Sequence, residues 1–565
     1  MKIKILSLIG GLIILSFFGC QSFVSENTAD LVLHNTHIYT INQSQPTAEA
    51  VAVSDGKILW VGDNEGAKKW MGEKTEVLDL NGKIVVPGLI ESHAHIMGIG
   101  AQVQNISLAK TSSYDELIAM VAEAVKETPK GEWIQGRGWH QSKWTPQPEM
   151  VKGYQTHEAL SAVSPDHPVF LTHASGHAAF ANAKAMEIAG ITNGMAFSED
   201  GEVIQYPDGR PTGVFSERAA SLISRHIPEP SAAALAKRLE LAIEECLANG
   251  ITSFQNAGAS QEEVDLFEDF VANDKMKLHM WTMLSGSDSS MLERWYQKGP
   301  QLSDFLTVRS IKLYADGALG SRGAWLLEPY SDRHNHVGNP IMPMKRVAQI
   351  ALDGLEHGFQ VCSHAIGDRA NREVLNAYEA AFVAKPDQAK DHRYRIEHAQ
   401  HLHPEDIPRF ADLGVIASMQ AIHMSSDRPW AIDRLGKERI ESGAYVWRSL
   451  LDSGAKVING TDAPVEPVNP IACYYASVSR KTLAGTPEEG YESAQRMTRE
   501  EALKSYTLDA AYGAFEEGEK GSVEVGKWGD FTVLSQDILT VPEKDLLKTE
   551  IEYTIVGGNV VYSKR

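Results

Sequence analysis

Hydrophobic and polar positions recur along this chain with two different periods, and the change of period divides it. Between residues 30 and 80, and again after residue 528, short runs alternate with a period of two, as half-buried strands do. Leu31-Val32-Leu33-His34, Ala50-Val51-Ala52-Val53 and Lys57-Ile58-Leu59-Trp60-Val61 are separated by turn pairs such as Asp55-Gly56 and Gly62-Asp63. Phe531-Thr532-Val533-Leu534 and Tyr553-Thr554-Ile555-Val556, beside Gly557-Gly558, read the same way. Two β-rich ends around a different middle predict one small β-sandwich built from residues 30–86 together with 520–565.

The middle, residues 87–519, interleaves short continuous apolar runs with longer stretches of helical period. Continuously apolar strands are those covered on both faces, as in a parallel sheet wound with helices. Strands are predicted at 87–95, 250–255, 278–284, 308–314, 360–364, 394–398, 415–420 and 456–461. Eight strands close a (β/α)8 TIM barrel, an α/β fold whose chemistry sits at the C-terminal ends of the strands. The stretch between the first two strands is far longer than a βα connection needs. It predicts an inserted subdomain at 97–231, whose Gly136-Arg137-Gly138-Trp139-His140 and Thr172-His173-Ala174-Ser175-Gly176-His177 segments suit a lid over the barrel mouth.

Composition adds a setting. Lys2 and Lys4 precede an uncharged apolar run over 5–18 and then Gly19-Cys20, the layout of an export signal, and the run is too short to span a bilayer. Residues 1–20 are therefore predicted to be a lipoprotein-type signal peptide. Phe17-Phe18-Gly19-Cys20 resembles a lipobox, which makes Cys20 the lipidated residue and its lipid the chain's contact with the membrane. The expected location is the cell envelope, as an outer-membrane or periplasmic lipoprotein. A net charge of −21 with no basic run argues against nucleic acid as a partner. Cys246, Cys362 and Cys473 are odd in number and lack paired spacing, so buried thiols are expected rather than disulfides.

Candidate chemistry sits at the ends of the predicted strands. Pro87-Gly88-Leu89-Ile90-Glu91-Ser92-His93-Ala94-His95 closes the first with two imidazoles one residue apart, on one face of a strand and able to reach one metal. His334-Asn335-His336 and His401-Leu402-His403 repeat the spacing without a strand end and read as polar loop residues. Lys312 lies inside the apolar run Ile311-Lys312-Leu313-Tyr314, where an unpaired ammonium is costly to bury. His364 and His398 each end a strand, and Asp462 ends the last one. Each alone reads as a core histidine or a helix cap; together they fall on five strands of one barrel.

These residues, with Ser175-Gly176-His177-Ala178-Ala179, Asp316-Gly317-Ala318-Leu319-Gly320-Ser321-Arg322 and Gly460-Thr461-Asp462-Ala463-Pro464, resemble the amidohydrolase superfamily, and in particular its amidohydrolase-3 branch. The likeness runs over nearly the whole chain. It implies two divalent metal ions, zinc the best match to imidazole and carboxylate ligands, with His93, His95 and Asp462 on one and His364 and His398 on the other. It also implies that Lys312 is carboxylated by carbon dioxide and bridges them. The implied reaction is attack of activated water on a carbon–nitrogen bond of a small-molecule amide, formamide or cyclic amide, with Asp462 as general base and then general acid. Arg322 and His177 are the implied substrate-binding residues. Asp316 and Asp368 either orient ligands or cap helices, and Trp139 and Trp144 either line a pocket or pack. A one-metal site with unmodified Lys312, hydrolysis of an ester or phosphoester, and a binding lipoprotein without turnover remain alternatives. A homodimer is the expected assembly, since dimers predominate among oligomers.

Overall fold

Eight parallel strands form the centre of the computed structural model, which describes residues 28–174, 177–195 and 201–564. They are β1 (Leu89–Ala94), β2 (Ile251–Ala259), β3 (His279–Ser285), β4 (Leu306–Tyr314), β5 (Gln360–Ala365), β6 (Arg395–His398), β7 (Ile416–Met419) and β8 (Val457–Asn459). Each pairs in parallel with the next along the chain. The eighth meets the first where the Asp462 amide donates to His93 O at 2.7 Å and the Thr461 amide to Glu91 Oε1 at 2.8 Å. All eight predicted strands are present, because strands buried on both faces leave an unbroken apolar signature.

Helices cover the outside, among them Ala232–Ala248, Gln261–Ala272, Met344–His357 and Asp368–Ala384. Their buried stripes, for example Val347, Ile350, Ala351 and Leu355, pack against outward strand residues such as Val308 and Val361 in one continuous core. Cys246, Cys362 and Cys473 are buried free thiols.

Both chain ends contribute to two further sheets. A four-stranded sheet holds Leu31–His34, Ala50–Ser54, Lys57–Gly62 and Glu76–Asp79, and a six-stranded one joins Ile84–Pro87 to Phe531–Leu534 and Ile551–Val556. Leu31, Leu33, Val51, Val53, Val85, Phe531, Val533 and Ile555 share one buried core between them. The second sheet feeds directly into β1, so the sandwich anchors the strand that carries His93.

Between β1 and β2 the chain forms a six-stranded mixed sheet running from Ile106–Ser107 to Pro211–Glu217. Trp139 and Trp144 are fully buried in its core with Leu117, Leu171 and Phe180. Trp139 Nε1 donates to Leu171 O at 2.8 Å, so these indoles serve packing rather than a pocket wall. The signal segment 1–20 with Cys20, and the Ser175-Gly176 part of the inserted motif, lie outside the described residues. Among the described residues no helix is long and apolar enough to cross a membrane.

Candidate metal centre

Period-two geometry aims Glu91 and His93 of β1 toward the barrel axis, with His95 one step past the strand end. His93, Lys312 and His398 are buried, Asp462 nearly so, and His95 keeps about a third of its side chain exposed. Two strand-end residues adopt backbone rarely seen outside glycine, His398 at φ 74° and Asp462 at φ 57°. Such conformations persist where surrounding structure enforces them, and they gather at functional sites. Here the amide of Asp462 is pinned to β1, and the turn swings its carboxylate back over the barrel mouth.

The six predicted ligands come together. Asp462 Oδ1 lies 3.2 Å from His95 Nε2 and 3.6 Å from His93 Nε2. Lys312 Nζ is 3.0 Å from His93 Nε2. The His93 and His398 rings are 4.9 Å apart, and those of His398 and His364 are 4.4 Å apart. One ligand atom each from His93, His398 and Asp462 falls within 4.8 Å of the others.

Hydrogen bonds behind the rings set which nitrogen faces inward. His93 Nδ1 donates to Glu397, and His398 Nδ1 donates to Gln420 Oε1 at 2.6 Å, leaving a lone pair on each Nε2. Glu397 is held by Arg395, whose Nε and Nη2 reach it at 2.7 and 3.1 Å. That guanidinium also donates to Gln255 Oε1, Ser92 O and Ser418 Oγ, so a fully buried cation is saturated with acceptors.

Electrostatics keep the ligands in metal-ready form. Burial, aided by Lys312, lowers the His93 pKa to about 4. Burial, aided by His364, holds His398 well below the ordinary imidazole range. Burial opposes charge on Asp462, yet the hydrogen bond from His95 and the nearby His93 and His398 keep its carboxyl well below the usual range. Burial also lowers the Lys312 pKa, against the pull of Glu397 and Asp462. A neutral buried amine is the form that attacks carbon dioxide, and the resulting carbamate would exchange a costly cation for an anionic ligand. The donors therefore fit divalent cations: imidazole lone pairs, a carboxylate, and a buried His364 Nε2 with no hydrogen-bond partner among the described residues.

Other predicted residues are engaged elsewhere. Arg322 forms a two-point pair with Asp332, at 3.1 and 2.8 Å. His177 lies in the inserted sheet with its ring 70% exposed and its Nδ1 3.0 Å from Glu217. Asp316 is fully buried and accepts from the amides of Trp325, Ile366 and Gly367 while lying 3.4 Å from His364 Nε2. Its hydrogen bonds go to backbone amides on either side of the site, and it makes none to His364. Asp368 accepts from the Leu327 and Arg369 amides, a loop-and-helix role. His401 is buried, not a polar loop residue, and neither ring nitrogen has a hydrogen-bond partner among the described residues.

Four residues not anticipated from sequence join the site: Glu397, Arg395, Glu91 and His423. The signal for the first two was available, since Arg395 and Glu397 share a strand face inside an apolar run, the argument applied to Lys312. Glu91 is fully buried beneath the site, accepting from the His93 and Thr461 amides and the Thr461 hydroxyl, and burial pushes its carboxyl up to about 8.

The profile of the amidohydrolase family matches residues 76–562. Protein LONG AFTER FAR-RED 3 of Arabidopsis thaliana is 33% identical over 94% of this chain and 92% of its own length. N-substituted formamide deformylase of Arthrobacter pascens is 27% identical over 95% of this chain and 98% of its own. The crystal structure of an uncharacterized metal-dependent hydrolase from Pyrococcus furiosus superposes with a TM-score of 0.73 at 27% identity, covering 90% of this chain and all of that one.

Proposed function

Because this chain belongs to the amidohydrolase family, we propose that it hydrolyses a carbon–nitrogen bond in a small amide, formamide or cyclic amide. The observation that carries the reading is the convergence of His93, His95, Lys312, His364, His398 and Asp462 at one barrel rim. Its similarity to the Arthrobacter deformylase along almost the full length of both chains supports the choice of bond. Two divalent ions, zinc by donor chemistry, would be held by His93, His95 and Asp462 on one side and His364 and His398 on the other, with carboxylated Lys312 between. When bound, they supply an acidified water and a polarised carbonyl.

The chain's own residues do the rest. Glu397 and Gln420 fix the tautomers of His93 and His398. Asp462 takes a proton from the water as its oxygen bonds the carbonyl carbon, and returns it to the nitrogen as the carbon–nitrogen bond breaks. The products are a carboxylic acid and an amine. The proposed setting is the cell envelope, with Cys20 as lipid anchor, on the strength of the apolar run and lipobox-like segment. Turnover of N-substituted formamides, other amides, esters and phosphotriesters by purified enzyme tests the reading. Release of amine from amides or formamides is expected; turnover confined to phosphotriesters would overturn it.

A further inference from the structure

His423 is the one imidazole beside Asp462 to which neither the predicted ligand set nor the hydrogen-bond network behind it assigns a task. It lies in the first turn of the helix Ala421–Gly443, directly after β7. The residue is buried, and its Nε2 has no hydrogen-bond partner among the described residues. Leaving a buried ring nitrogen unpaired costs free energy, so a partner supplied from outside the chain is the physical expectation. That nitrogen points at the general base, 3.8 Å from Asp462 Oδ2, too far for a hydrogen bond.

The two oxygens of Asp462 thus face different company. Oδ1 is approached by His95 and His93, the ligand side, while Oδ2 is approached by His423. The His423 ring lies nearly parallel to that of His398, centroids 6.0 Å apart, so it flanks the group of His93, His398 and Asp462 without belonging to it. Asp427, one turn along the same helix, carries a carboxyl whose charge interacts with His423 and which accepts from Gln400 and Tyr445. A single atom can sit within hydrogen-bond reach of both Nε2 and Oδ2 across a gap of this size.

We infer that His423 is a substrate-contacting catalytic residue that binds the leaving nitrogen at a point shared with Asp462 Oδ2. This rests on the carbon–nitrogen reading above. As the water oxygen bonds the carbonyl carbon, the nitrogen gains a lone pair. Its lone pair takes, from Oδ2, the proton that Asp462 took from water, while its N–H donates to the unpartnered His423 Nε2, and the carbon–nitrogen bond then breaks. The contact strengthens as charge develops on nitrogen, so its loss lowers kcat more than it raises KM.

The test compares wild type with His423→Leu, which removes the acceptor, and His423→Gln, which returns an amide oxygen near the Nε2 position. Removing one such hydrogen bond is expected to lower kcat by about 10²- to 10³-fold, with KM changed much less, metal content unchanged and at least a tenfold recovery in His423→Gln. A second readout is independent of turnover. Acetohydroxamate, which carries a nitrogen at the leaving-group position, should bind the metal-loaded Leu variant about tenfold more weakly than wild type, with affinity restored in the Gln variant. The inference is overturned by a Leu variant with near-normal kcat and acetohydroxamate affinity, by a Gln variant no better than Leu, or by metal loss in both. A wild type that cleaves esters but no amide would defeat the carbon–nitrogen reading alone, and acetohydroxamate would still decide the place of His423.

Discussion

Replacing Glu397 by Gln should weaken the protein and its metal site together, by separable amounts. The side chains are nearly isosteric, so the change removes charge rather than volume. Two consequences follow from its contacts. First, the Arg395 guanidinium, fully buried, loses its carboxylate. Breaking a buried pair by removing one partner costs about 3–5 kcal/mol. Arg395 retains Gln255, Ser92 and Ser418 as acceptors at 2.6 to 3.0 Å, which favours the lower end. Second, His93 Nδ1 loses an anionic acceptor, and changes behind a ligand of this kind lower metal affinity by about 10- to 100-fold. Urea denaturation of chelator-stripped protein reads the first effect, and competition with a chromophoric chelator reads the second. The double variant Arg395→Met, Glu397→Leu separates them: with no unpaired buried charge it should regain stability while metal affinity stays low. Unchanged affinity and midpoint in Glu397→Gln would refute the reasoning.

Two further outcomes are expected. Asp462→Asn should retain most of its metal yet lose nearly all turnover, because the amide cannot take the water's proton; steady-state kinetics alongside metal analysis checks this, and near-normal activity would contradict it. His401 is buried, and burial with nearby Arg439 lowers its pKa to about 3, against about 6.5 in the unfolded chain. As pH falls from 6.5 toward 3 the unfolded form takes up a proton that the folded form refuses, so this group removes stability by up to about 1.4 kcal/mol per pH unit in that window. His401→Phe, which keeps the ring contact with Tyr445, should match or exceed wild-type stability at pH 7 and lack that part of the acid slope; parallel curves of stability against pH would disprove the assignment.

Much of this architecture was legible because its physics is local. Runs such as Ile311-Lys312-Leu313 mark strands buried on both faces, and a charged residue within one announces a task. His93 and His95 were legible by strand period, and Asp462 by its place after the last strand. Sequence marked Arg395 and Glu397 as charged residues in an apolar run, but could not convey which ring they stand behind. Glu397 serves a histidine some 300 positions away, and only closure of the barrel brings β6 against β1 across the axis. His423 was hidden differently: it begins a helix, where a histidine carries no period or spacing signal. Arg322 is ambiguous for the opposite reason, since a guanidinium in a glycine-rich loop near Lys312 suits substrate and structure equally, and in the structure its fork holds Asp332.

The most direct measurement is the number of divalent ions per chain, by elemental analysis of protein purified without chelator, for wild type and Lys312→Ala in parallel. Two per wild-type chain are predicted, fewer than one in the variant, and partial recovery when a short carboxylic acid stands in for the carbamate. Less than one ion in wild type, or equal content in both proteins, would contradict a metal pair bridged at Lys312.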